Sequence, residues 1–435
     1  MNYQETIEYL FARLPMFHRI GPAAYKNSLD NTLIMDDFFG HPHRKFKTIH
    51  VAGTNGKGSV SHMLAAIFQK AGYKTGLYTS PHLIDFRERI RVNGEMISKE
   101  EVVAWVENYA VENNLWNIEP SFFELTVALA FDFFARQKVD IAVIEVGLGG
   151  RLDSTNIITP EISVITNIGF DHVQLLGDTL EKIAFEKAGI IKQDVPVVIG
   201  ETNNATEIVF RSNAERKNAP VFFADKEYKT EYSLLSMDGK QALNISKNGE
   251  PAFPELKIDL TGLYQQKNVP TVLCALDVLQ GKGWKINRGH IYDGLIDAGK
   301  DTGLMGRWQV IGNNPLVVCD TGHNEDGIKM IVQQLANTAF KHLHVVFGMV
   351  ADKNIEPILQ LLPVEATYYF TKAALPRALN EKILKEQANS FGLNGEGYPS
   401  VMEAFAAAKN AAEQHDMIFA GGSTFVVAEI LEQKF

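Results

Sequence analysis

His50-Val51-Ala52-Gly53-Thr54-Asn55-Gly56-Lys57-Gly58-Ser59 is the stretch on which the reading of this chain turns. Residues 46–52, just before the glycines, are apolar enough to form a short buried strand. After them Val60, Met63, Leu64, Ile67, Phe68 and Ala71 recur at helical spacing, and Gly72 is a natural stop. Strand, glycine-rich turn and helix start put Gly53, Gly56 and Gly58 where backbone must approach an anion closely. Exposed N–H groups and the positive helix end then face that anion, so the stretch is expected to bind a polyphosphate. Lys57 is placed to reach the outer phosphates, and Ser59 to serve a metal or a phosphate oxygen. The match to the standard phosphate loop is partial: Val51 stands where its first glycine would be, and Gly58 separates Lys57 from Ser59. A plain glycine turn before a helix is the structural alternative.

Length and composition bound what surrounds this loop. A chain of 435 residues is too long for one ordinary core, so two domains are expected, with boundaries 1–298 and 299–435. The charged and apolar fractions, 22% and 46%, are those of a globular protein. A formal charge of −10 argues against broad nucleic-acid binding, so an anionic substrate must be held by a local basic cluster. Cys274 and Cys319 alone supply neither a disulfide framework nor a thiolate metal site. No basic start precedes an apolar run, and no stretch is long enough to span a bilayer, so a cytoplasmic enzyme without a membrane partner is expected.

Outward from the loop, residues 1–45 read as a helical lead-in. Ile7, Leu10, Phe11 and Leu14 share one face, Gly21-Pro22 is a break, and a second helix lies around 29–39. Residues 75–79 form a strand ending at Ser80-Pro81-His82-Leu83, where Ser80 is either a metal ligand or a turn residue. Phe122 to Arg136 is an apolar helix, and residues 139–146 are a nearly unbroken buried strand. Such strands alternating with helices indicate an α/β fold with a mostly parallel sheet covered on both faces. Glu145 lies inside that apolar strand, where a carboxylate is costly unless paired or cation-bound. Residues 162–168 repeat the unit and run into Asp171-His172. Ser80, Glu145 and His172 all leave strand ends beside the phosphate loop, which favours a shared Mg²⁺. Asp178 and Glu181 open the next helix, and Lys187 falls in its last turn, complementing the helix dipole. Glycines and charges from Asp297 to Gly306 mark the linker. Beyond it, four strands beginning near 316, 344, 366 and 417 describe a smaller α/β domain without a phosphate loop.

Taken together, His50–Ser59, Thr79-Ser-Pro-His-Leu83, Phe122-Phe-Glu-Leu-Thr126, Glu145–Asn156, Thr166-Asn-Ile-Gly-Phe-Asp-His172 and Glu186-Lys-Ala-Gly-Ile190 resemble the folylpolyglutamate and dihydrofolate synthases of the Mur ligase superfamily. The likeness runs from about residue 20 to the end of the chain. It implies a P-loop-type ATPase domain carrying the folate site, plus a smaller C-terminal Rossmann-like domain. The implied activity is ATP-dependent joining of L-glutamate to dihydropteroate, to the γ-carboxyl of folates, or to both, through an acyl phosphate, with the C-terminal domain closing over the site.

By the same resemblance Gly53, Thr54, Asn55, Gly56, Lys57, Gly58 and Ser59, with Asn268, Arg307 and Asp320, bind ATP. Ser80, Glu145 and His172 match the ligands of one or two Mg²⁺ ions. Lys187 matches a lysine that is carbamylated in many relatives, which turns a cation into a metal-binding anion. Lys57, His172 and Lys187 carry the catalysis. Gly262, Tyr264, Gln265 and Asn268 fit a central family motif; Phe122, Phe123, Asp153 and Ser154 point toward the pterin, and His323 and Lys353 bind glutamate. The family is usually monomeric.

Three departures fall in the C-terminal part: Asp320-Thr-Gly-His-Asn324, Gln309 two residues after Arg307, and Gly422-Ser-Thr-Phe425. Two alternatives are a Mur-type ligase acting on a UDP-sugar intermediate and a non-catalytic nucleotide-binding protein. The Gly-Lys-Gly-Ser and Ser-Pro-His-Leu segments, and the lack of a separate UDP-binding domain ahead of the loop, speak against the first. Retention of Glu145, His172 and Lys187 speaks against the second.

Overall fold

A computed structural model describes residues 1–14, 28–116 and 118–433, and the Gly21-Pro22 break lies outside them. The chain divides into two compact units, residues 1–259 with 265–304, and residues 260–264 with 305–435.

The first unit is built on an eight-stranded sheet. Its strands are β1 (Lys47–Ala52), β2 (Thr75–Tyr78), β3 (Ile90–Val92), β4 (Glu95–Met96), β5 (Ile141–Glu145), β6 (Ile162–Ile165), β7 (Val197–Ile199) and β8 (Val221–Phe223). They lie in the order β4-β3-β2-β5-β1-β6-β7-β8. All pairs from β2 to β8 in that order are parallel, and only β3 and β4 at one edge run antiparallel. Because β1 lies between β5 and β6, the chain leaves the middle of the sheet at a reversal of strand order, the place where open α/β sheets bind ligands. The β1–β5 register sets Val51 opposite Glu145, so the phosphate loop and that carboxylate leave the same level of the sheet.

Helices cover both faces for reasons written locally. The helix Phe122–Gln137 starts at a capping box in which Ser121 Oγ accepts the Glu124 N–H at 3.2 Å and Glu124 Oε2 accepts the Ser121 N–H at 2.6 Å. Its Phe131 and Phe134 are buried against Phe46, each contributing about 1.5–3 kcal/mol of burial. The helices Tyr3–Arg13 and Asp30–Phe38 occupy the expected lead-in.

Several boundaries differ from the sequence reading. Strand β6 stops at Ile165, because the next residues turn their hydrogen bonds onto the phosphate loop. The helix after it is capped by Thr179, whose hydroxyl accepts the Lys182 N–H, while Asp178 pairs with the Lys182 ammonium. Residues 228–258 form a three-stranded antiparallel sheet of β9 (Tyr228–Leu235), β10 (Gln241–Lys247) and β11 (Glu250–Ile258), in which β9 and β10 make a hairpin turning at Asp238-Gly239. Within residues 297–306 a short helix, Ala298–Thr302, forms despite its glycine and charges, with Asp259 accepting the N–H groups of Gly299 and Lys300.

The second unit carries six strands, two more than its apolar runs suggest: β12 (Gln309–Asn313), β13 (Leu316–Cys319), β14 (Leu343–Phe347), β15 (Thr367–Thr371), β16 (Gly395–Tyr398) and β17 (Met417–Gly421). Their order is β12-β13-β17-β14-β15-β16, with β12 alone antiparallel. The two unexpected strands lie at the edges, where one-sided packing needs no apolar run. Residues 260–264 belong here: Gln334 accepts the Leu263 N–H at 2.8 Å and donates to the Thr261 carbonyl at 2.9 Å. Among the described residues no helix is long and apolar enough to cross a membrane.

Candidate active site

The loop from Gly53 to Gly56 is held open by the segment that follows β6. Thr54 N–H donates to the Asn167 carbonyl at 3.0 Å, and Asn55 N–H to Asn167 Oδ1 at 2.9 Å. Thr166 Oγ1 donates to the Asn55 carbonyl at 2.5 Å, and Gly169 N–H to Thr54 Oγ1 at 3.0 Å. Thr166 and Asn167 stood inside a quoted motif without a role; their role is to shape the loop. Gly56, with φ +83°, is the N-cap of the helix Lys57–Lys70, and a Cβ there would lie 2.3 Å from Asn268 Oδ1. Gly53 has φ +148°, and its Cβ would fall 1.8 Å from Thr166 Oγ1. Such crowding is the cradle expected of a phosphate site. Gly56→Ala is therefore expected to destabilise the protein by roughly 1–3 kcal/mol and to weaken nucleotide binding, checked by thermal unfolding with and without ADP. Ser59 is buried and its hydroxyl receives Gln265 Nε2 at 3.1 Å, while Asn268 Nδ2 donates to Gln265 Oε1 at 2.8 Å. This chain ties the start of the helix Gln265–Gly281 to the loop helix.

Two ammonium groups converge on one carbonyl. Lys57 Nζ donates to Gly53 O at 3.0 Å and Thr54 O at 3.2 Å, and Lys187 Nζ reaches the same Gly53 O at 2.8 Å. Neither has an ion pair among the described residues. Lys187 is buried, and burial first, then the charge of Lys57, brings its pKa down to about 7. This corrects the expectation that Lys187 is a cation complementing the dipole of its helix. The helix does end at Ala188, but the ammonium turns into the phosphate loop.

Glu145 is buried at the end of β5, and its Oε2 accepts the Ser80 N–H at 3.2 Å. The strand order β2-β5-β1-β6 thus brings Ser80, Glu145, the loop and the Asp171-His172 segment to neighbouring strand ends. His172 adopts φ +51° and caps the short helix Val173–Leu176, its N–H bonded to Asp171 Oδ1 at 2.9 Å. A buried carboxylate beside a serine, next to the cationic loop, suits a hard divalent cation.

Of the residues expected near the pterin, Phe122 is buried among Phe11, Phe86 and the Arg89 guanidinium. Phe123 is half-buried and packs near Tyr78. Asp153 caps the turn Ser154–Ile157: it accepts the N–H groups of Leu148 (2.8 Å) and Thr155 (3.0 Å) and the Thr155 hydroxyl. Since Thr155 donates to Asp153, its oxygen accepts from His50 Nε2 at 2.9 Å, so His50 carries its proton on Nε2. Burial takes the His50 pKa down to about 3, which keeps it neutral.

In the second unit Asp320, at the end of β13, is buried and accepts the Tyr264 hydroxyl, the Trp308 N–H and the Gly322 N–H, each at 2.7 Å. Burial raises its pKa against these bonds. Arg307 Nη1 donates to the Thr321 hydroxyl and to the Gly306 carbonyl. His323 Nδ1 donates to the Thr321 carbonyl at 2.9 Å, and Lys353 Nζ lies 3.5 Å from the His323 carbonyl, so the two residues expected at glutamate do meet.

A parallel sheet with a glycine-cradled loop at its strand-order reversal, followed by a second α/β unit, is the arrangement of a Mur ligase. Residues 51–276 match the Mur ligase middle domain, and residues 306–424 match the Mur ligase glutamate ligase domain. The dihydrofolate synthase/folylpolyglutamate synthase of Bacillus subtilis is 32% identical over 98% of both chains. The Escherichia coli protein of the same name is 32% identical over 88% of this chain and 85% of its own. Among solved structures, Escherichia coli FolC in complex with DHPP and ADP superposes with a TM-score of 0.85 at 28% identity, covering 100% of this chain and 98% of that one. The Mycobacterium tuberculosis folylpolyglutamate synthase complexed with ADP and AMPPCP gives 0.87 at 29% identity, covering 100% and 99%. The chain belongs to the dihydrofolate synthase/folylpolyglutamate synthase family, ATP-dependent ligases that form a C–N bond between glutamate and a folate-type acceptor.

Proposed function

We propose that this enzyme adds L-glutamate to both dihydropteroate and the γ-carboxyl of reduced folates, using ATP and Mg²⁺. The observation that carries the reading is the pair of ammonium groups, Lys57 and Lys187, at 3.0 and 2.8 Å from the Gly53 carbonyl, neither in an ion pair among the described residues. Two cations crowded onto a glycine-cradled loop at a helix N-terminus are built to receive a polyphosphate.

The acceptor carboxylate oxygen attacks the γ-phosphorus of ATP. The new O–P bond forms as the bond to the β-phosphate oxygen breaks, and ADP leaves with that electron pair. The amino nitrogen of glutamate then attacks the acyl carbon, forming the amide and releasing phosphate and a proton. Gly53 to Ser59 hold the phosphates, with Asn268, Arg307 and Asp320 assigned to the nucleotide. Lys57 offsets charge on the transferred group. Ser80, Glu145 and His172 would hold Mg²⁺, which lessens repulsion between the two anions. Lys187 at a pKa of about 7 has much of its amine neutral near physiological pH, the form that adds CO₂, and a carbamate there would supply a further oxygen ligand. His323 and Lys353 would bind glutamate, and Phe122, Phe123, Asp153 and Ser154 would lie on the pterin side. The protein is proposed to act as a cytoplasmic monomer.

The test is mass spectrometry of products formed with ATP, Mg²⁺ and glutamate, offering dihydropteroate and a reduced folate monoglutamate in parallel. Product from both supports the bifunctional reading; product from one restricts it to that half; none from either, with nucleotide still bound, refutes it.

A further inference from the structure

Arg89 is a buried cation that no carboxylate among the described residues pairs with. Its side chain is 3% exposed. Its Nε donates to His82 Nδ1 at 2.7 Å, and its Cζ lies 5.3 Å from the centre of the Phe122 ring. Its other described polar neighbour is the buried Tyr78 hydroxyl, a neutral group, and no described carboxylate lies at ion-pair distance. A guanidinium is charged at any accessible pH, and burying one unpaired is costly. Two carboxylates reach it with their field, Glu145 and Glu88. Glu88 is engaged elsewhere, accepting the N–H groups of Leu83, Ile84 and Asp85 at 2.7–2.8 Å. Glu145 accepts the Ser80 N–H and belongs to the site.

The backbone ties Arg89 to that site. It stands immediately before β3, and its carbonyl accepts the Thr79 N–H at 3.1 Å, one residue from Ser80. Around it Phe11, Phe86, Phe122 and His82 form an aromatic wall. Because a guanidinium N–H can only donate, His82 Nδ1 must accept, which makes His82 neutral with its proton on Nε2. This anchor at Nε orients the guanidinium plane and leaves the Nη1/Nη2 edge, the fork that matches a carboxylate, with only the neutral Tyr78 hydroxyl beside it among the described residues.

We propose that Arg89 receives the acceptor carboxylate of the folate-type substrate through Nη1 and Nη2 and so sets it beside Ser80 and Glu145 for phosphorylation. This assignment rests on the ligase reading above. It gives the buried charge a carboxylate partner when substrate is bound, and it adds to the expected residue set a cation supplied within the first unit.

The test compares the affinity of dihydropteroate with that of its carboxamide counterpart, in the presence of ADP and Mg²⁺, for the wild type, Arg89→Met and Arg89→Lys. In the wild type the carboxylate should bind roughly 10- to 100-fold more tightly than the amide. In Arg89→Met the ratio should fall near one, through weaker carboxylate binding. Arg89→Lys should be intermediate, keeping charge but losing the fork, with the KM for ATP and glutamate unchanged. A wild-type ratio near one, or a ratio unaltered in Arg89→Met, overturns the assignment. If Arg89→Met does not fold, an unaltered ratio in Arg89→Lys overturns it equally. Wild-type enzyme that forms no glutamate-linked product would sink the ligase reading itself; product formation with a ratio indifferent to Arg89 would sink this assignment alone.

Discussion

Lys187→Met is expected to reduce glutamate-dependent product formation by roughly 10²-fold or more, yet to leave a protein more stable than the wild type near neutral pH. The wild-type ammonium is buried against the Gly53 carbonyl with Lys57 nearby, and its pKa falls from 10.5 to about 7. A lysine depressed in the folded state binds fewer protons there than in the unfolded chain between those two values, so wild-type stability rises with pH through that window. Below about pH 7 the cost of the buried charge is fully present; it fades as pH climbs toward 10.5. Methionine carries no such cost. The variant should therefore exceed the wild type most at pH 7 and below, by a few kcal/mol, with the difference shrinking at higher pH. Denaturant unfolding at a series of pH values in CO₂-free buffer measures this directly. Lys192, whose pKa burial lowers to about 8, contributes a similar slope to both proteins and cancels in the comparison. Activity reads the other half of the prediction. If the neutral amine adds CO₂, bicarbonate should raise wild-type activity and leave Lys187→Met and Lys187→Arg unaffected. Wild-type activity indifferent to bicarbonate, with no carbamate signal from ¹³C-labelled CO₂, would remove the carbamate from the mechanism.

Lys57→Met is expected to lower kcat/KM for ATP by roughly 10²–10³-fold while changing the KM for glutamate little. The ammonium folds onto the Gly53 and Thr54 carbonyls, neutral partners that a phosphate can displace. A side chain needed only to brace the loop would give a different result: Met would lower thermal stability and weaken ATP and ADP alike. A second readout separates the cases. The Lys57 charge is one of the causes that depress Lys187, so its removal should raise the Lys187 pKa and move the bicarbonate dependence of any residual activity to higher pH. A changed ATP rate with an unmoved bicarbonate profile would show that the two ammonium groups do not share one field.

What could be read ahead of the fold, and what could not, divides by distance along the chain. The phosphate loop was legible because a strand, a glycine turn and a helix start are adjacent residues, and the anion site is made by the backbone of that one segment. Glu145 was legible because a carboxylate in an apolar strand is anomalous wherever the strand goes. Lys187 was misread for the complementary reason: at the end of a helix a lysine has a sufficient local explanation, and only the packing of that helix beside β1 turns its ammonium to Gly53. Arg89 carried no signal in a stretch dense with charges, since its burial depends on strand β3 pairing back onto β2. In the second unit the edge strands β12 and β16 escaped notice because partial exposure leaves them without an apolar run. Asp320 directly follows the apolar run that begins near 316, but its three hydrogen bonds to Tyr264, Trp308 and Gly322 come from segments up to 56 residues away.

The sequence by itself determined the α/β class, the phosphate loop and the family, because these rest on periodicity and contiguous motifs that hold before the chain is folded. Tertiary structure alone decided which charges stand together. Burial and electrostatic fields act through space, and Lys57, Lys187, Glu145 and Arg89 become one site only when strand order sets their segments side by side.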